Sequence, residues 1–519
     1  MSIDLGSSNV SAATGPGPHD DELEYAGGGL KREINWWGAF VIGLAGTILV
    51  TGIAPVMVTT LGAASIPLII AITLMGYLLC LLLAELSAMM PERSGGAPSY
   101  AYPAYRLRFP RASKHVNGLT SWMYWLGWFP VAPLNMILAS FYIADRFGLD
   151  TTSGFTPITT FLAWWTLAIA VVGILLFFIP AYLGIRIGAG FATVLGIISM
   201  VPLTFLAVAF IFSGKADWGQ LSSFTQLDGS GFFSGLDGYG WFTVYCGYAF
   251  LLTWNVIAME AAACYIGETR NPSRDAKIAM NLEGGYGLFI YTLIPIAFIT
   301  VLGAQALSNP DLVDPNTIFV TFAGEVFGTG GELLNWLIAG MLIVALMLSA
   351  LNAIMGCARS LHQMSVDGQF PRFFQRINHH GVPAAAMAFN VACSLVVVLL
   401  GGAVQIYTFS NVGYTGSFLA VLVGYYLLRK DRPNVARPVR LPEPFKYVAL
   451  ALAAIFAFIW LYGGISFARI GNTEIYYFLG WVVALAYFPL YLYRTRVEDK
   501  RTAAPPPEPV VDPVNVGSG

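Results

Sequence analysis

Long apolar runs separated by short polar stretches repeat along the chain. A helix needs about 20 apolar residues to cross the hydrocarbon core of a bilayer. Twelve runs meet that length: roughly 36–61, 66–90, 118–145, 158–181, 186–213, 239–266, 281–306, 331–358, 383–402, 404–428, 445–467 and 474–493. The first, third, sixth and eighth are interrupted by Gly, Pro or Asn. An even number of spans puts both tails on one side. Residues 1–30 carry Gly, Ser, Asp and Glu without the basic and apolar regions of a signal peptide, and 500–519 contain Pro505, Pro506 and Pro507. Both read as disordered tails that flank a transmembrane domain over 31–499.

Composition agrees with a polytopic, all-α membrane protein: 56% of residues are hydrophobic and 11% charged, where soluble proteins carry about 25% charged. A net charge of -2 leaves no basic excess for nucleic acid. All but three of the 27 basic residues fall on the side of the tails, with Arg146, Lys215 and Arg469 opposite. By the positive-inside rule both termini are expected to be cytoplasmic; the plasma membrane is the expected location. The five cysteines lie in apolar runs without C-x-x-C spacing, so no disulfide and no metal site is expected. All five histidines, His362 among them, fall in tails or cytosolic loops, which removes a histidine relay at mid-membrane. Asp20, Asp21 and Glu22 form the only acidic cluster and sit in the first tail. The paired acids, nucleophile with base, or ligand clusters of a membrane enzyme are missing, so neither an enzyme nor a cofactor is expected.

Two spans carry the candidate chemistry. In span one, Gly52 weakens the helix and Pro55 removes the amide that would bond to the Thr51 carbonyl. A break near Val50–Ile53 follows, and the amides opened at the second half-helix, with the Thr51 hydroxyl, would suit a carboxylate. A plain Gly/Pro kink packed on a neighbour explains the same residues. Span six reads Trp254-Asn255-Val256-Ile257-Ala258-Met259-Glu260 and holds the one acidic residue placed deep in the bilayer. A carboxylate there costs at least about 2.5 kcal/mol. It should therefore face a cavity, carry a proton, or both; a proton-bearing glutamate that ties helices together is the competing structural reading. Interrupted spans one and six, five apart, fit an inverted repeat of five plus five helices, about 36–213 and 239–428. Two helices at about 445–493 are then appended.

Four stretches carry a family resemblance: Val50-Thr51-Gly52-Ile53; Glu85-Leu86 with Pro91 and Gly95-Gly96; Glu260 with Asn271-Pro272; and Ser349 to Asn352, Arg359, Asp367-Gly368 and Pro383. Together they resemble the amino acid–polyamine–organocation (APC) superfamily of permeases, which have the LeuT-type fold. The resemblance implies secondary transport of amino acids or amines by alternating access. It places substrate between spans one, three, six, eight and ten. At matching positions, Val50, Thr51, Gly52 and Ile53 would meet the carboxylate. Carbonyls near Ile257 and Ala258 would meet the ammonium, with Trp254 as an aromatic gate. Trp128, Ser349, Asn352 and Asn411 complete the implied pocket, while Arg270, Arg359 and Asp367 are candidate gate ion pairs. Ser199 stands where many sodium-independent members carry a lysine. A proton on Glu260 ranks ahead of sodium or pure exchange, because the carboxyl is visible in the sequence and a sodium site is not. No further intramembrane carboxylate is evident, since Glu85 and Asp145 sit near span ends, and this favours neutral amino acids. An amine, polyamine or amino-alcohol permease and a non-transporting nutrient sensor are the alternatives.

Overall fold

The computed structural model of the protein describes residues 30–149, 163–222, 239–307, 313, 317–328, 331–400 and 402–502. Apart from residues 30 and 500–502, the expected tails lie outside them. The described residues are helical, joined by turns and one isolated parallel bridge between Ile34 and Thr269. Ten helical stretches are long and apolar enough to cross a membrane, and Ala384–Val398 is a shorter apolar helix. Each helix carries the number of the predicted span to which it corresponds.

The first of those stretches, Trp36–Met89, folds as two half-helices, Trp36–Thr47 and Val50–Leu61, followed by the span-two helix Ser65–Met89. The interruption falls at Ile48–Leu49, two residues earlier than the sequence suggested. There the amides of Thr51 and Gly52 bond to the carbonyls of Ile48 and Leu49 at 3.1 and 3.0 Å, and the Thr51 hydroxyl donates to Ile48 O at 3.0 Å. The chain thus tightens into short i→i−3 bonds instead of opening fully. Span six runs as an α-helix over Trp241–Ile257 and then narrows to a 3-10 helix over Ala258–Cys264. Span three is divided at Phe129–Pro130 into Pro110–Trp128 and Val131–Arg146.

Three expectations need correction. Span eight is one continuous helix, Gly331–Val366, and absorbs its Gly and Asn residues without a break. It also carries His362 in its last turns, where the buried ring lies 3.2 Å from Phe374 O, not in a loop. Span seven begins at Pro272, nine residues before the apolar run, because Pro suits a first helical turn and the polar residues after it extend the helix beyond the apolar segment.

The broken spans meet at the centre. An ideal Cβ on Gly46 would fall 2.0 Å from the Ala258 carbonyl oxygen, so only glycine allows span one to lie against the narrowed part of span six. Both ends of the described chain lie at one end of the bundle: Lys31 Nζ donates to His379 O, and Arg494 donates to Phe370 O at 3.0 Å.

Candidate functional site

A cavity of about 500 Å3 opens at the end of the bundle opposite the tails. Its floor is the start of the second half-helix of span one, with Thr51, Gly52, Ile53 and Val56. Tyr142 of span three, Tyr248 of span six and Gln405 and Tyr407 of span ten add polar groups to walls that are otherwise apolar. No Lys, Arg, Asp or Glu among the described residues lines it. Ligand pockets occupy about 300–1,000 Å3 and combine apolar walls with a few polar groups, which this cavity does.

Below the cavity the aromatic side chains close ranks. Tyr407 packs edge-on against Trp254 with centroids 4.8 Å apart, and Trp254 donates from Nε1 to Gly127 O at 3.2 Å. Beneath them lies Glu260, fully buried, whose Oε1 accepts from Tyr124 at 2.6 Å and from Tyr414 at 3.1 Å. Its Oε2 has no hydrogen-bond partner, and neither does the Nε1 of buried Trp128, whose ring meets Tyr414 at 5.6 Å. Thr51, Gly52 and Ile53 therefore face the cavity, while Val50, Trp254, Ile257, Ala258 and Trp128 are packed beneath or beside it. Asn411 donates to Phe250 O at 2.6 Å, and Ser349 accepts from Asn135 at 2.9 Å. Asn352 accepts from Tyr265. All three are buried and do not line the cavity. The amides of Thr51 and Gly52, expected to be open to a carboxylate, are occupied by Ile48 and Leu49 in this conformation.

The tail-side end is shut. Glu268 pairs with Arg359 through both guanidinium and carboxylate arms, and both side chains are buried. Arg93 pairs with Asp367 at 2.5 and 3.3 Å, and Gln363 binds both Asp367 and Ser94. Arg359 and Asp367 are thus both in ion pairs, but with partners that the sequence did not indicate. Arg270 is exposed and joins the closure through its backbone amide, which donates to Ile34 O at 2.9 Å. Gly95 and Gly96 adopt φ of +86° and +80°; a Cβ on Gly96 would strike Tyr124 Oη at 2.6 Å. Glu85 holds Arg429 at 2.6 Å and Arg437 at 3.1 Å. In the adjoining loop, Arg440 beside Glu443 holds that exposed carboxyl below the usual range.

One buried acid escaped the sequence reading. Glu283 of span seven is fully buried; its Oε2 accepts the Ala262 amide at 3.0 Å and its Oε1 has no partner. Glu260 is therefore not the sole carboxyl in the interior. The signal was present: Glu283 lies inside the apolar run 281–306 and precedes Gly284-Gly285. It stands two residues inside the start of that run, where sequence alone does not separate the interior from the interface.

Secondary transporters commonly place their sites where interrupted spans meet, as the two do beneath this cavity. Residues 34–486 match the profile of the amino acid permease family, and the chain belongs to that family. It is similar to solute carrier family 7 member 12 of Mus musculus, at 23% identity over 193 residues, 37% of this chain and 39% of the mouse protein. It is also similar to the lysine-specific permease LysP of Escherichia coli, at 23% identity over 453 residues, 83% of this chain and 85% of LysP. The branched-chain amino acid permease BcaP of Bacillus subtilis is 24% identical over 323 residues, 60% of each chain. The match to the mouse carrier spans about two fifths of that protein's length.

Proposed function

We propose that the protein is a secondary transporter of neutral L-amino acids that works by alternating access. The observation that carries the substrate class is the cavity wall, which contains polar groups and, among the described residues, no charged side chain. Relatives named for lysine and for branched-chain amino acids differ in side-chain charge. A cationic side chain moved out of water needs a carboxylate partner. Glu260 does not line the cavity and lies behind Tyr407 and Trp254. Branched or other apolar side chains match the Ile53, Val56, Leu138 and Leu346 wall.

On this reading there are twelve spans, counting Trp36–Met89 as two and adding Ala384–Val398. They are arranged as five plus five inverted helices and two more. The common end shared by Lys31 and Arg494 supports the even count. Both tails are cytoplasmic and the membrane is the plasma membrane. The cavity then faces outward, and the Arg359–Glu268 and Arg93–Asp367 pairs form the inner gate, with Arg270 beside it. The substrate carboxylate docks at Thr51 to Ile53 once the short bonds of Thr51 and Gly52 open. Trp254, Ile257, Ala258, Trp128 and Asn411 shape the pocket as Tyr407 moves. A proton on Glu260 drives uptake: an acid buried in a membrane span, with tyrosine hydroxyls and no cation bonded to it, is the kind of group that proton relays use.

One observation favours a second reading, an amine permease. The unpartnered Glu260 Oε2 lies among Tyr124, Trp128 and Tyr414, a setting suited to an ammonium group. Counterflow in proteoliposomes separates the two. Vesicles are loaded with leucine, lysine or isoamylamine, at acidic and neutral pH, with and without sodium, for wild type and Glu260→Gln. The first reading requires leucine to exchange and isoamylamine not to. Exchange of the amine alone would establish the second, and binding without any exchange would point to a sensor.

A further inference from the structure

Glu283 sits where spans one, two and six meet. Its Oε2 accepts the amide of Ala262, in the narrowed half of span six. Its other face lies against Gly43, in the inner half-helix of span one: an ideal Cβ there would fall 2.6 Å from Oε1 and 2.8 Å from Oε2. Span two supplies Cys80, whose Sγ is turned to Met259 O at 3.3 Å. The ionisable groups acting around Glu283 are Glu260 and Cys264 of span six and Cys80 of span two; Gly43 brings none from span one. On its own helix Tyr286 turns away to Thr204 of span five. None of these groups is a cation.

Two carboxyls thus share one desolvated interior, and no cation among the described residues bonds to either of them; Arg359 acts on the neighbouring Cys264 and is itself paired with Glu268. Each carboxyl has one oxygen bound by donors and one without a partner. They lie in sequence along the path from the cavity to the tail side: Tyr407, Trp254, Tyr414, Glu260, then Ala262 and Glu283. Glu283 is the member that touches the inner half of span one, so movement of Trp36–Thr47 is what would admit water to it.

We propose that Glu283 is the residue from which the transported proton leaves to the cytoplasm, released when the inner half-helix of span one swings off its Oε1. In that step the O–H bond of the acid breaks, the proton passes to water, and the carboxylate keeps the electron pair. The acid re-forms when the next proton arrives from the side of Glu260. This rests on the reading of the protein as a proton-coupled permease.

The test uses the purified full chain in proteoliposomes with L-leucine as probe. An inward proton gradient should accumulate leucine in wild type, up to about tenfold per pH unit for one proton per substrate. Glu283→Gln keeps an oxygen to accept the Ala262 amide but cannot release a proton. It should show counterflow, at whatever rate, and no accumulation. Glu283→Asp should restore accumulation with an altered pH profile. Accumulation in Glu283→Gln equal to wild type would overturn the inference and leave proton coupling intact. Wild type that exchanges leucine yet ignores the gradient would overturn the coupling reading and this inference with it. If Glu283→Gln loses counterflow too, Glu283→Asp decides: a pH profile identical to wild type rejects the inference.

Discussion

Gly46→Ala tests the contact between the two interrupted spans most directly. The new methyl carbon would lie 2.0 Å from the Ala258 carbonyl oxygen, 2.6 Å from its carbon and 3.1 Å from its Cβ, where ordinary contacts begin at 3.4 Å. Spans one and six would have to part by more than an ångström, and the obstacle is backbone on both sides, so no side-chain rotation relieves it. Overpacking of this kind costs about 1–3 kcal/mol, and the upper end applies when backbone must move. Gly285→Ala is the matched control, since its Cβ would meet nothing within 4 Å. As a glycine inside a helix it should gain about 0.5–1 kcal/mol from the change. Thermal unfolding of the purified protein in detergent and leucine counterflow are the assays. The expected order of stability is Gly285→Ala at or above wild type, then Gly46→Ala well below, with counterflow lost in the second. A Gly46→Ala protein as stable and as active as wild type would refute the claim that these two breaks bear on one another.

Arg359→Ala should cost about 3–5 kcal/mol, because it leaves the Glu268 carboxylate buried without its partner; adding Glu268→Gln should recover much of that loss in the same thermal assay. Tyr407→Ala should lower thermal stability by the ~0.5–1.5 kcal/mol of its pair with Trp254 and raise the KM for leucine by removing a cavity wall, while Tyr407→Phe should change both little. Gln405→Cys should react on intact cells with a membrane-impermeant maleimide and be protected by leucine, whereas Lys31→Cys should react only after permeabilisation. The opposite pattern would invert the assigned orientation.

Much of the fold could be read directly. Spans five, ten, eleven and twelve lie close to the predicted runs, because bilayer thickness imposes a length that any apolar stretch must meet. The narrowing of span six at Ala258 falls within the expected segment. The break in span one was displaced to Ile48–Leu49, since Pro55 and Gly52 weaken a helix over several residues and the packing of Gly46 on Ala258 selects where it yields. Span eight carries Gly340, Asn352 and Gly356 and still runs unbroken, its Asn352 held by Tyr265. Loss of propensity at those positions is outweighed by neighbours that only the folded bundle supplies.

By itself, the sequence determined that this is a helical membrane protein, which end gathers positive charge, that spans one and six are interrupted, and that Glu260 lies in the interior. These follow from local composition against the fixed demands of a bilayer. Tertiary structure alone decided the partners: Glu268 for Arg359, Arg93 for Asp367, Tyr124 and Tyr414 for Glu260, Gly43 and Ala262 for Glu283. A buried charge must find its partner, but which helix presents it depends on how closely glycine-lined faces let distant segments approach, and that register is not written in any single span.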